Sequence, residues 1–146
     1  MEFIPGRITF PQLRKADASD TNAGLVTCTG AFTTIIDTPS LTVAVGDVVL
    51  VQTRVAMTKG ITAGVSEIIV FNAGSAVIAF GVDEGALQEL CFSHTASALW
   101  PVSLSGLARV TGAGTLVLRT QGRSVGSNSD VAVGGGETYC VVISGS

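Results

Sequence analysis

The stretch TLVLRTQGRS at residues 115–124 and the stretch ETYCVVISGS at residues 137–146 decide the fold of this chain. In the first, Leu116 and Leu118 alternate with arginine-bearing positions, which is the period-two pattern of a β-strand with one apolar face. In the second, both alternating sets are largely apolar, which is typical of a strand covered on both faces. We therefore expect a β-sheet protein whose last strand lies inside the sheet.

Working outward from these two segments, the rest of the chain predicts further strands separated by glycine turns. DVVLVQTRVAMT at residues 47–58 is the longest, and PVSLSGLARV at residues 101–110 also alternates cleanly. Asn72-Ala73-Gly74 predicts a hairpin connection. No window shows helical periodicity, so we predict an all-β jelly-roll β-sandwich of about eight core strands. The core is expected to include Val51, Leu116, Leu118, Val141 and Ile143.

The amino-acid composition indicates which kinds of partner the chain can have. The chain has 146 residues, enough for one domain, and is 47% hydrophobic but only 13% charged. Its mean hydropathy is +0.55, yet no apolar run approaches the ~18 residues that a membrane helix needs. We therefore expect no membrane association and a surface that is covered in part by other subunits. The net charge of −3 argues against a nucleic-acid partner.

Residues 1–22 differ in character from the remainder of the chain and are predicted to form an extended N-terminal arm, with residues 23–146 as a single sandwich domain. Three cations against one acid within residues 1–15 give a net +2, which leaves −5 for the other residues of a chain whose total is −3. The arm is too apolar for a solvated tail, and we expect it to dock on a partner; the alternative is a poorly ordered terminus. Its candidate partner-binding residues are Phe3, Ile4, Arg7, Ile8, Phe10, Leu13, Arg14 and Lys15.

Few residues of the sequence are candidates for catalysis or metal binding. The single histidine, His94, lies three positions after Cys91 on a predicted strand, so their side chains point to opposite faces and form no nucleophile pair. The three cysteines, Cys28, Cys91 and Cys140, are expected to be buried thiols, with one disulfide as the alternative. We predict no enzymatic activity, catalytic residue, cofactor or metal site.

The outward row Arg119, Gln121 and Arg123 allows two interpretations. One is an ordinary solvated sheet face. The other is an interface, because the guanidinium fork suits carboxylates of a partner and the body of the chain is acidic.

Three segments carry a resemblance: LTVAVGDVVLVQTRVAM at residues 41–57, GTLVLRT at 114–120 and GGGETYCVVISG at 134–145. Together they resemble the small trimeric jelly-roll decoration (cement) proteins of tailed bacteriophages, and more distantly the tumour-necrosis-factor and C1q-like trimers. The low aromatic content of 5% departs from the latter two groups. The resemblance implies a homotrimer on the capsid exterior, bound to the major capsid protein, with arms that reach across neighbouring subunits.

We accordingly expect a structural virion protein that is made in the host cytoplasm and not secreted. Residues 1–10 support the last point, since they hold a proline and charges where a signal peptide would be apolar. The alternative function is a receptor- or glycan-binding knob of a phage tail fibre or baseplate, for which Trp100, Asp83 and Glu84 are the candidate contacts.

Overall fold

The computed structural model describes residues 16–59, 64–81, 84–93, 99–125 and 131–143. Within these ranges the chain forms β-strands joined by turns and no helix. The strands are β1 (Ala16–Cys28), β2 (Thr33–Asp37), β3 (Leu41–Val43), β4 (Val48–Lys59), β5 (Gly64–Asn72), β6 (Val77–Phe80), β7 (Ala86–Ser93), β8 (Leu99–Gly112), β9 (Gly114–Leu116), β10 (Leu118–Val125) and β11 (Val131–Ile143).

The strands form two main antiparallel sheets. A five-stranded sheet has the order β1-β11-β4-β8-β6, and a four-stranded sheet has the order β2-β10-β5-β7. The short β3 and β9 pair separately with each other. Buried side chains of the two sheets pack against each other in two core clusters, each with residues from both sheets, which confirms the predicted all-β sandwich.

Eight of the strands form four pairs, and along the chain each pair encloses the next. The first strand pairs with the last (β1 with β11), β2 pairs with β10, β4 pairs with β8, and the innermost pair is β5 with β7. The first half of the chain therefore pairs with the second half in antiparallel fashion, and the resulting strand pairs are divided between the two sheets.

On two central strands the buried side chains occupy alternating positions, as expected for strands with one face in the core. On β4 the buried side chains are those of Val49, Val51, Thr53 and Val55, and on β8 they are those of Val102, Leu104, Ala108 and Val110. The alternate positions are polar only in part, with Gln52 and Arg54 on β4 and Ser103, Ser105 and Arg109 on β8, and these polar residues favour the observed orientation. Leu116 and Leu118 are fully buried as expected.

The inward face of the last strand was predicted wrongly. Val141 and Ile143 are only half-buried, whereas Thr138, Cys140 and Val142 are buried. The register explains the difference, because Cys140 lies opposite the inward-facing Val51 and the side chains of directly paired residues share a face. Since both alternating sets of β11 are apolar, the pattern alone did not determine which set faces the core.

The predicted hairpin at Asn72-Ala73-Gly74 is also wrong, because β5 and β6 belong to different sheets. The Asn72 side chain shapes the crossing. Its Nδ2 donates to the Ala76 carbonyl at 2.7 Å, and its Oδ1 accepts the backbone N–H groups of Gly74 at 2.9 Å and Val117 at 2.8 Å. The bond to Val117 falls at the break between β9 and β10, so Asn72 also explains why the predicted single strand divides there.

The first strand begins earlier than predicted. β1 starts at Ala16, and residues 16–22, which the sequence placed in the arm, pair with β11 from Ala16↔Val142 to Asn22↔Gly136. Sheet pairing uses backbone groups, so the polar sequence ADASDTN carries little of the side-chain alternation that marks a strand. The remainder of the predicted arm lies outside the described residues.

Candidate interaction surface

The two sheets present outer faces of different character, and the four-stranded sheet has the polar one. On this face Arg119 lies directly opposite Asp37 and forms a bidentate pair, with Nε to Oδ1 at 2.8 Å and Nη2 to Oδ2 at 2.7 Å. The hydrogen bond to Asp37, with the charge of that carboxylate, raises the pKa of Arg119 above its usual value. Arg119 therefore remains charged and paired at every physiological pH.

A second arginine on the same face anchors a buried carboxylate. Arg123 pairs with Glu67 on the neighbouring strand, and Gln88 donates to the other carboxylate oxygen. The Glu67 side chain is only 3% exposed, and the guanidinium of Arg123 also lies 4.5 Å from the centre of the Phe32 ring. A buried charge needs such partners, since a lone carboxylate would be costly to desolvate.

The third predicted residue of this row, Gln121, donates to the Thr34 hydroxyl at 3.1 Å. Arg119, Gln121 and Arg123 thus lie together on one outer face, as predicted, and each has a partner within the chain. A partner protein would meet this face as an already paired polar surface. Its role as an interface stays a prediction.

The outer face of the five-stranded sheet carries a line of apolar side chains. Leu50 on β4 lies directly opposite Val141 on one side and Leu107 on the other. Leu50 is 41% exposed and Leu107 is 57% exposed, and Val141 is half-buried. We call these three residues the apolar row; it crosses the centre of the sheet.

Polar contacts hold the surroundings of the apolar row in place. Tyr139, which lies on the same face of β11 two positions before Val141, donates its hydroxyl to Gln52 Oε1 at 2.6 Å. An open depression of about 400 Å³ is lined by the apolar row with Tyr139, Gln52 and Ser105. The Tyr139 ring is 36% exposed and fixed at its hydroxyl, which makes it an ordered contact surface at low entropic cost.

Three charged side chains lie on the same face near the apolar row. One row beyond Tyr139, Glu137 lies opposite Arg54, and one row beyond Leu107 on β8 lies Arg109. All three are exposed. The arrangement is an apolar centre with a polar rim, which is the anatomy of protein–protein interfaces.

The sequence held only an indirect signal for this surface. Leu50 and Leu107 are 57 positions apart, and only the pairing of β4 with β8 brings them side by side. The observation that some strands are apolar on both faces did indicate that an outer face would be covered. It did not indicate which one.

Two of the three cysteines have described side chains. Cys28 and Cys140 are both buried, as predicted, and Cys28 is a free thiol. Burial raises the pKa of Cys28 to about 11, so its thiol stays protonated and unreactive near neutral pH.

Several other candidates from the sequence have limited or no description. His94 and Asp83 lie outside the described residues, as do Phe3, Ile4, Arg7, Ile8, Phe10, Leu13, Arg14 and Lys15. Glu84 is exposed, and Trp100 pairs with Met57 through the β8–β4 ladder. Among the residues described, no group of three or more His, Cys, Asp or Glu side chains is placed to hold a metal ion. The same part of the chain contains no helix able to cross a membrane.

Comparison with known proteins gives no family assignment: no protein-family model matches the chain, and no curated protein matches it significantly.

Proposed function

We propose that this chain is a structural virion protein, a capsid decoration protein that binds the outside of a phage shell as a homotrimer and bridges neighbouring capsid subunits. The nested pairing of the strands supports a jelly-roll architecture for the sandwich. The capsid role itself comes from the resemblance of three sequence segments to decoration proteins.

The observation that carries the proposal is the apolar row at the centre of the five-stranded sheet. Leu50 and Leu107 are large, apolar and about half exposed, and they lie beside each other rather than scattered. In a chain with only 13% charged residues, such a patch favours association over a free monomer. Burial of apolar area contributes roughly 25 cal/mol per Å², so two leucines, a valine and part of a tyrosine provide a useful share of an interface.

The residues before β1 are proposed to make the attachment to the shell. They enter the sandwich at Ala16, on the strand that forms one edge of the five-stranded sheet. Fifteen residues reach at most about 50 Å when extended, which is far enough to contact a neighbouring capsid subunit. Three arms on one trimer bind together, so their combined affinity exceeds that of a single arm by roughly 10²–10⁴.

The oligomeric state tests the first half of the proposal. Sedimentation equilibrium of the purified full-length chain at micromolar concentration is expected to give the mass of three chains. A monomeric mass over that range would contradict the proposal, because a cement protein of this kind needs its three arms on one particle.

Co-sedimentation with shells assembled from the cognate major capsid protein tests the second half. Deletion of residues 1–15, which stops short of β1, is expected to leave the circular dichroism spectrum unchanged and to abolish co-sedimentation. Within the arm, Phe10→Ala is expected to weaken binding more than Lys15→Ala, because exposed ion pairs contribute only about 0–1 kcal/mol. Shell binding that survives the deletion would refute the arm, and binding to host-surface glycans without shell binding would favour a receptor-binding knob.

A further inference from the structure

The charged residues of the five-stranded sheet are separated by strand. The adjacent strands β1 and β11 contain acidic residues and no Lys or Arg, whereas β4, β8 and β6 contain cations and no Asp or Glu. The acids are Asp17, Asp20 and Glu137, and the cations are Arg54, Lys59 and Arg109. We call β1 and β11 the acidic side of this sheet, and β4, β8 and β6 its basic side.

The outer face of this sheet keeps charges of both signs without an ion pair. Arg109 and Glu137 are exposed, and neither forms an ion pair within the described part of the chain. The same holds for Arg54, although it lies directly opposite Glu137. The arginines of the four-stranded sheet differ, since Arg119 and Arg123 each bind a carboxylate of the same chain. Only the five-stranded sheet therefore presents described arginines that a partner's carboxylate can still bind.

Arg109 and Glu137 are too far apart to meet within one chain. Arg109 lies opposite Val48 on β4, and Glu137 lies opposite Arg54 on the same strand. The interval from 48 to 54 spans roughly 20 Å of strand, which is beyond the combined reach of the two side chains. Leu50, the centre of the apolar row, lies inside this interval. An ion pair between Arg109 and Glu137 therefore requires two copies of the chain.

We propose that the acidic side of one copy packs against the basic side of the next copy, with Glu137 of the first paired to Arg109 of the second. Charge complementarity points to a second copy as the partner, because one face carries both signs on opposite sides of an apolar centre. The apolar row supplies affinity, and the charges set the orientation of the two copies.

This contact is head-to-tail, because each copy uses a different side of its sheet toward each neighbour. Such a contact generates a closed ring when the rotation between copies closes. The number of copies in the ring rests on the proposed homotrimer. The pairing of the acidic with the basic side rests on the separation of charges across the sheet.

Reversal of the two charges tests the pairing. Glu137→Arg and Arg109→Glu each place like charges at the contact, and sedimentation at low salt is expected to show association weakened at least about tenfold in either variant. The double variant Glu137→Arg, Arg109→Glu restores opposite charges in reversed order, and its association is expected to return to within about threefold of the wild type. Raised salt is expected to reduce the difference between the single variants and the wild type.

Glu89→Arg is the matched control, because it makes the same change of charge at an exposed position of β7 in the other sheet. It is expected to associate as the wild type does. A double variant that associates no better than the single variants would overturn the proposal, and so would a control that loses association to the same degree. A multimeric wild type that neither reversal weakens would refute this contact alone, while a monomeric wild type would refute the proposed homotrimer as well.

Glutamine variants cover the case in which a reversed charge impairs folding, since an arginine at position 137 would lie opposite Arg54. Glu137→Gln and Arg109→Gln keep polar side chains at exposed positions, so circular dichroism is expected to show an intact sandwich. Either substitution removes the same ion pair, and the double glutamine variant is therefore expected to lose no more association than one single variant. Losses that add up in the double variant, or no loss in either single variant, would overturn the proposal.

Discussion

At the scale of single residues, the most informative feature of the core is a triangle of hydroxyl groups. Thr53 on β4, Thr138 on β11 and Thr120 on β10 are fully buried. Their Oγ1 atoms lie 3.0 Å apart for Thr53 and Thr138, 2.8 Å for Thr120 and Thr138, and 3.4 Å for Thr53 and Thr120. Three hydroxyls in a ring can each donate once and accept once, so the triangle satisfies itself and joins the two sheets.

The closed triangle allows us to predict how Thr138→Val changes the stability of the fold. The substitution removes the hydroxyl shared by the two shorter contacts and leaves two hydroxyls with one long contact between them. We expect it to lower the free energy of unfolding, measured with denaturant, by about 1–3 kcal/mol. The triple variant with valine at positions 53, 120 and 138 is expected to cost less than the sum of the single variants, because it leaves no hydroxyl without a partner.

The exposed Thr42 on β3 provides the control. Thr42→Val is expected to change the free energy of unfolding by no more than about 0.5 kcal/mol, as for ordinary surface substitutions. If the three single-variant costs add up in the triple variant, the hydroxyls act independently and the triangle has no cooperative role.

At the scale of strands and turns, the sequence predicted best where polar residues occupy several positions of one alternating set. The inward faces of β4 and β8 followed from that pattern, and β10 followed because arginines mark its outer side. Where the pattern is ambiguous, tertiary pairing decides. β11 is apolar on both faces, and its orientation depends on its register with β4.

The wrong hairpin prediction at Asn72 and the lack of a prediction for the apolar row have the same kind of origin. The loop after Asn72 has the composition of a tight hairpin, yet the Asn72 side chain bonds to Ala76 of the same loop and to the distant Val117, and the chain crosses into the other sheet. The candidate surface depends even more on pairing, since the apolar row consists of residues from three strands. No local window of sequence contains it.

Gly74 tests the importance of this crossing. A Cβ atom at Gly74 would overlap the backbone oxygen of Thr115, so the loop or β9 must move to accommodate a side chain. We expect Gly74→Ala to lower the free energy of unfolding by about 1–3 kcal/mol. Gly30→Ala is the matched control, because nothing lies within 4 Å of its Cβ position. Equal stability of the two variants in denaturant unfolding would show that the close approach at Gly74 does not constrain the fold.

At the scale of the whole molecule, the outer faces of the two sheets differ in how their side chains are satisfied. On the outer face of the four-stranded sheet, Arg119 pairs with Asp37 and Arg123 pairs with Glu67, so these four charges are neutralised within the chain. The five-stranded sheet leaves an apolar centre on its outer face. A trimer built through that centre would gain stability that the isolated chain lacks.

If assembly and folding are linked, the stability of the chain depends on its concentration. If three chains must associate to be fully stable, dilution favours the unfolded chains, and a tenfold dilution removes about 1 kcal/mol per chain. For a chain of this size we expect the wild-type melting temperature, measured by scanning fluorimetry, to fall by roughly 2–4 °C per tenfold dilution. The Leu50→Lys, Leu107→Lys double variant is expected to melt at a lower temperature that does not change with concentration, because its unfolding involves one chain. A wild-type melting temperature that is constant over a hundredfold dilution would mean that the sandwich is stable alone, and the apolar row would then need a partner other than its own kind.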